Sequence, residues 1–88
     1  MKKPAHLTPE MIAIWDELLP QINPHIGAIG FEALVTQVYR SRDAQKRIAE
    51  EGLIVADAKG VAVPHPALAI EKQAQGEIRT WLNRWSAR

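Results

Sequence analysis

The side chains best suited to chemistry in this sequence are three histidines, two serines and two adjacent carboxylate pairs. His6, His25 and His65 each lie beside or near a proline, and no two share a metal-ligand spacing such as His-x-x-x-His. They read as exposed loop side chains rather than ligands. Ser41 and Ser86 have no histidine nearby in sequence and no nucleophile-elbow context. Asp16-Glu17 and Glu50-Glu51 are neighbours along helices, where adjacent side chains diverge, so neither pair forms a facing acid/base dyad. The glycines at 27 and 30 lack the following lysine of a phosphate-cradling loop. The expectation is a protein that is not an enzyme and needs no metal or other cofactor.

What remains is binding chemistry. Arg40, Arg42, Lys46 and Arg47 form a basic row suited to phosphates, and they are the candidate DNA-binding residues. Asp43 and Glu50 offer these cations local pairing, and the C-terminal half of a helix favours positive charge in any case. Trp15 and Trp81 are expected in the core. Trp85, near the end of a helix face, is a candidate subunit contact together with Val61, Val63 and Ile78.

These residues need elements to place them. Thr8-Pro9-Glu10 is a helix start: a capping hydroxyl, a proline at the first helical position, then an acid where the dipole favours it. Ile12, Trp15, Leu18, Leu19 and Ile22 follow as an apolar stripe, giving a helix over about 9–22, with Pro20 ending or kinking it. His25 to Gly30 reads as a connector. A long helix over about 31–51 buries Phe31, Leu34, Val35, Val38 and Ile48. Ser41 and Ala44 on that face admit a neighbouring helix closely, and Gly52 ends it. A short β-hairpin over about 53–63 turns at Asp57-Ala58-Lys59-Gly60. A third helix over about 66–85 sets Ile70, Ala74, Ile78, Trp81 and Trp85 on one side. Glu71, Lys72, Gln75, Arg79 and Arg84 fall on the other, with Gly76 in the middle as the expected point of a close helix contact.

The fold class is therefore mainly α: three helices with a hairpin between the second and third, in a single domain spanning 1–88. With 88 residues the core is thin, and a two-stranded hairpin is marginal in water, so packing against another copy would stabilise both. The net charge of +1 supplies no global field for nucleic acid, so any such contact rests on a local patch. With 47% hydrophobic residues the chain is too apolar to be disordered. The absence of cysteine excludes a disulfide scaffold and a thiolate zinc site and suits a cytoplasmic location. The start reads as no secretory signal, and no membrane span is expected.

Taken in order, Leu7-Thr8-Pro9-Glu10, Ile14-Trp15, Leu18-Leu19-Pro20, Glu51-Gly52-Leu53, Gly60, Val63-Pro64-His65-Pro66-Ala67-Leu68, Gln73-Ala74 and Ile78-Arg79 resemble the small-subunit family of tailed-phage terminases, the P-twenty-seven class. The resemblance spans about Leu7 to Trp85 and is most specific from Gly60 through Arg79. It implies a non-catalytic homo-oligomeric ring in the cytoplasm of a bacterial host. Such a ring binds double-stranded viral DNA near the packaging start and regulates the large terminase subunit, which holds the ATPase and nuclease. The family usually has asparagine where this chain has His65, and a Thr and an Asp in the connector that here reads Gly27-Ala28-Ile29-Gly30. Two other readings stay open: a protein-only oligomeric scaffold, such as a prophage remnant, and a small helix-turn-helix regulator.

Overall fold

The computed structural model describes residues 2–86. Helix α1 spans Pro9–Leu18, α2 Gly27–Glu51 and α3 Ala67–Trp85, with strands β1 (Ile54–Ala56) and β2 (Ala62–Pro64) between α2 and α3. The Thr8 hydroxyl accepts a hydrogen bond from the Met11 N–H at 3.3 Å, which caps α1. The helix stops at Leu18 rather than running to residue 22. Pro20 has no N–H to continue the ladder, and the chain tightens into a 3-10 turn at Leu19–Gln21. The Gln21 side-chain amide donates to the Glu17 carbonyl at 3.2 Å, so an end carbonyl stays paired.

The connector before α2 differs from expectation. Asn23 caps a second 3-10 turn, Pro24–Ile26, by accepting from the His25 N–H. Gly27 then adopts φ 77°, which lets the chain turn directly into α2 four residues before Phe31. Gly30 is a helical residue. A Cβ there would lie 2.9 Å from Ile26 Cγ1 and in ordinary contact with Trp81 at 3.5 Å, so this glycine leaves room for the Ile26 side chain of the preceding turn. The expectation of a close helix contact at Gly76 is not met, because a Cβ at Gly76 would meet nothing within 4 Å.

The 25-residue α2 is the spine. Phe31, Leu34, Val35 and Val38 join Trp15, Ile14, Ile22 and Leu7 in one buried cluster, with Trp15 and Phe31 edge-to-face at 4.5 Å between centroids. Further along, α3 packs on α2 at small residues, with Ser41 and Ala44 of α2 and Ala67 and Ala74 of α3 all buried. The Gln75 amide donates to the Ser41 hydroxyl at 2.6 Å, so the buried hydroxyl on that seam is paired. Ile78, Trp81 and Trp85 pack half-buried against the main cluster. The far end of α3 is tied back to the α1–α2 connector, where the Asn23 N–H donates to the Trp85 carbonyl at 2.7 Å.

The hairpin is antiparallel, with Val55 opposite Val63 and Ile54 opposite Pro64. The Asp57 carboxylate accepts from the N–H groups of Lys59 and Val61, and Gly60 at φ 79° completes the turn. The molecule measures 48 × 27 × 17 Å, with a radius of gyration of 15.4 Å. A compact domain of this length has about 12 Å. The shape is elongated and leaves surface uncovered.

His65 sits at the joint between β2 and α3. It is 7% exposed, not the exposed loop side chain the sequence suggested. Its Nδ1 accepts from the Ala67 N–H at 2.9 Å, so the ring hydrogen is on Nε2, which meets the Glu51 carboxylate at 2.7 Å. Its backbone N–H donates to Leu53 and its carbonyl accepts from Leu68. Histidine thus caps α3 in place of asparagine and also ties the start of α3 to the end of α2. His65→Ala is expected to lower unfolding stability by roughly 1–3 kcal/mol, since it orphans a buried N–H and removes the Glu51 contact. His65→Asn is expected to recover part of the loss by keeping the cap. Urea denaturation reads both, and an unchanged midpoint for His65→Ala would contradict this role.

Candidate functional site

The basic row does not stay together. At 3.6 residues per turn, Arg40 and Arg47 share one side of α2, and Arg42 and Lys46 lie roughly 130° around the helix. Asp43 and Glu50 lie on that shorter arc between them, and the buried stripe that holds α1 and α3 runs the longer way round. Arg42 faces α1 and forms a two-pronged ion pair with Glu17, at 2.8 and 3.0 Å. Arg47 pairs with Asp43 one turn back at 3.0 Å. Among the described residues, Arg40 and Lys46 make no ion pair. The local pairing anticipated for Asp43 is present, and the cross-helix partner of Arg42 had no sequence signal, because it lies 25 residues away.

The Arg42 guanidinium, first by hydrogen bonding and then by its charge, holds the Glu17 carboxyl below the ordinary value of 4.5. A carboxylate whose folded value is depressed contributes stability above its unfolded value and loses that contribution as pH falls through the folded one. Arg42→Ala is therefore expected to lower the melting temperature slightly near neutral pH, and the difference from the parent is expected to fade in acid, as pH falls below the ordinary carboxyl range and through the depressed folded value. Both side chains are half-exposed, so the effect is small and also shrinks with added salt. Melting curves across pH check it, and a difference that persists undiminished in acid would assign it to packing instead.

Arg40 and Arg47 border a cleft of about 580 Å³ between α2, the hairpin and the start of α3. Val55, His65, Ile70 and Gln73 form its other walls. Ile70 was expected on the buried side of α3 but is 51% exposed. The alanine seam draws α3 close to α2 at Ala67 and Ala74, and Ile70 falls outside that contact, over the cleft.

The four candidate subunit contacts lie in two places. Val61 is 55% exposed beside the hairpin turn, and Val63 is half-buried opposite Val55. Ile78 and Trp85 are half-buried against the domain's own core. Leu53 at 59% and Ile54 at 62% exposure were not singled out. Their signal was the unbroken apolar run Leu53-Ile54-Val55-Ala56, which puts apolar side chains on both faces of a strand and so leaves one face uncovered in an isolated hairpin. The Trp85 Nε1 is buried without an acceptor among the described residues, while the Arg84 guanidinium stacks over its ring at 5.3 Å.

Among the described residues no cluster of three or more His, Asp or Glu could hold a metal ion, and no helix is long and apolar enough to cross a membrane. Among the described residues the surface presents unpaired cations on the helices and exposed apolar side chains on the hairpin. A family model described as phage terminase, small subunit, matches residues 13–85 of the chain. No curated protein and no solved structure matches it.

Proposed function

This chain belongs to the phage terminase small-subunit family, whose general role is in phage DNA packaging, and from that premise we propose that it is a non-catalytic, oligomeric packaging adaptor. In this reading it binds double-stranded viral DNA in the host cytoplasm and regulates a large terminase subunit that supplies the ATPase and nuclease. The observation that carries the oligomeric part is the exposed apolar hairpin. Leu53, Ile54 and Val61 are more than half exposed on a two-stranded element too small to be stable alone. A second copy would cover Val61, Val63 and their neighbours, and Ile78 and Trp85 would contribute only where their edges reach the surface. For DNA, Arg40 and Lys46 are the members of the α2 row available to phosphates. Arg42 and Arg47 would first have to leave Glu17 and Asp43.

A protein-only scaffold is favoured by one specific observation, the commitment of half the α2 row to internal ion pairs. The helix-turn-helix reading is disfavoured by the hairpin that separates α2 from α3 where a tight turn would be needed.

Light scattering with and without duplex DNA, at two salt concentrations, tests the proposal. The expected result is a mass several times 9.8 kDa and duplex binding that weakens steeply with salt. An oligomer that ignores duplex would favour the scaffold. A monomer without salt-sensitive duplex affinity would end the adaptor reading.

A further inference from the structure

Helix α3 shows solvent a face that its packing does not explain. Ala69, Lys72, Gln73, Gly76, Arg79, Thr80 and Asn83 recur at three- and four-residue steps and are all exposed. The polar side of α3 looked mixed in sequence, with Glu71 and Gln75 beside the cations. In the fold those two turn inward, where Gln45 donates to Glu71 at 3.4 Å and Gln75 donates to Ser41. Glu77 falls at the opposite margin, toward the Arg84 side. The stripe itself is left with Lys72 and Arg79 as its only charges, and neither makes an ion pair among the described residues.

Gly76 lies at the middle of this stripe with open space around it. No neighbouring helix requires a glycine there. Mid-helix glycine is disfavoured relative to alanine, so a packing account leaves it unexplained. A ligand surface approaching the helix axis does account for it, since the stripe is low at Ala69 and Gly76 and flanked by long polar side chains.

We propose that this outward face of α3 is a contact surface for duplex DNA. The inference rests on the packaging-adaptor reading above and names the surface that reading leaves open. Along the stripe itself cations, amides and a hydroxyl are exposed and no carboxylate is, Glu77 standing outside it at the Gln73 margin, and such a stripe complements a polyanion that also presents hydrogen-bonding edges. From Ala69 to Asn83 the stripe is about 21 Å long, and a helix about 10–12 Å across fits a major groove about 12 Å wide. Gln73 also borders the cleft that Arg40 lines, so the α3 face and the free α2 cation meet along one margin. Lys72 and Arg79 hold phosphates, Gln73 and Asn83 reach base edges, and Gly76 allows the close approach.

The test is fluorescence anisotropy of a labelled duplex against the full chain, over a series of salt concentrations. Four proteins are compared: the parent, Lys72→Ala/Arg79→Ala, Gly76→Glu and Arg40→Ala/Lys46→Ala. All the altered positions are exposed, and glutamate is the better helix former at 76, so circular dichroism and light scattering should match the parent. Lys72→Ala/Arg79→Ala is expected to weaken binding about tenfold or more and to reduce the salt slope by about two per engaged protomer. Gly76→Glu is expected to weaken binding at least as much. If the parent binds duplex and both α3 variants bind equally well, this surface is wrong while the adaptor reading stands. If the parent binds no duplex at low salt, the adaptor reading fails and takes this proposal with it. Equal loss on an acidic polypeptide such as polyglutamate would overturn the assignment to DNA.

Discussion

Trp15→Ala is expected to leave this chain largely unfolded at physiological temperature. Trp15 is fully buried at the meeting point of α1 and α2 and stacks edge-on against Phe31, which is also fully buried. Truncating a large buried aromatic costs about 3–5 kcal/mol, through lost transfer energy and the cavity left behind. Small domains have total stabilities near the low end of about 5–15 kcal/mol, so one such change removes most of it. Neighbours cannot close the hole easily, because Phe31, Leu34 and Val35 are held on a helix that also packs against α3. Trp15→Phe is a sharper companion. The Trp15 Nε1 is buried without an acceptor among the described residues, so phenylalanine removes an unsatisfied donor while keeping an aromatic ring in place. It should fall well short of the alanine loss. Urea titration followed by far-ultraviolet circular dichroism reads both variants. An alanine variant with a midpoint close to the parent would show that the α1–α2 contact does not hold the domain together.

The second large effect concerns assembly rather than folding. Ile54→Asp with Val61→Asp is expected to convert the proposed oligomer to a species near 9.8 kDa, with the helical signal unchanged. Both side chains are more than half exposed, so the isolated fold loses little. At a subunit contact each would instead carry an unpaired carboxylate into an apolar surface, at a cost of several kcal/mol per charge. The alanine pair at the same positions should weaken assembly less, by lost apolar area alone. Sedimentation velocity at several concentrations distinguishes these cases. A parent-like mass for the aspartate variant would move the subunit contact away from the hairpin, toward the exposed edges of Ile78 and Trp85. Such a result would also bear on DNA, since oligomerisation multiplies the few free cations each chain presents.

Much of the architecture is written locally. Thr8, Pro9 and Glu10 start α1, Gly52 ends α2 at φ 88°, and Asp57 through Gly60 closes the hairpin. Each of these acts through neighbouring backbone groups, so residue type and order suffice. The apolar stripe of α2 was equally legible, because helical periodicity marks which side chains share a face. The small residues Ser41 and Ala44 correctly marked where a second helix approaches.

Other outcomes depend on groups distant in sequence. Whether a cation is free or occupied depends on a partner such as Glu17, which reaches Arg42 only because α1 folds along α2. Helical spacing sets Glu71 and Gln75 off the Gly76 side of α3, and the fold turns their side toward α2, where Gln45 and Ser41 bond them, so the outward stripe is left with cations. Gly27 and Gly30 look like connector residues until the backbone uses one for a turn and the other to make room for Ile26. His65 looks like a solvent-facing loop residue until Glu51 and the first turn of α3 close around it. The elements and their order are legible in the residues, because caps, turns and periodicity are local interactions, and the family shows as a resemblance in the order of short motifs. Tertiary structure alone decided which charges and which apolar side chains remain available to a partner. Availability is what is left after long-range packing and pairing have taken their share, and no local pattern encodes that remainder.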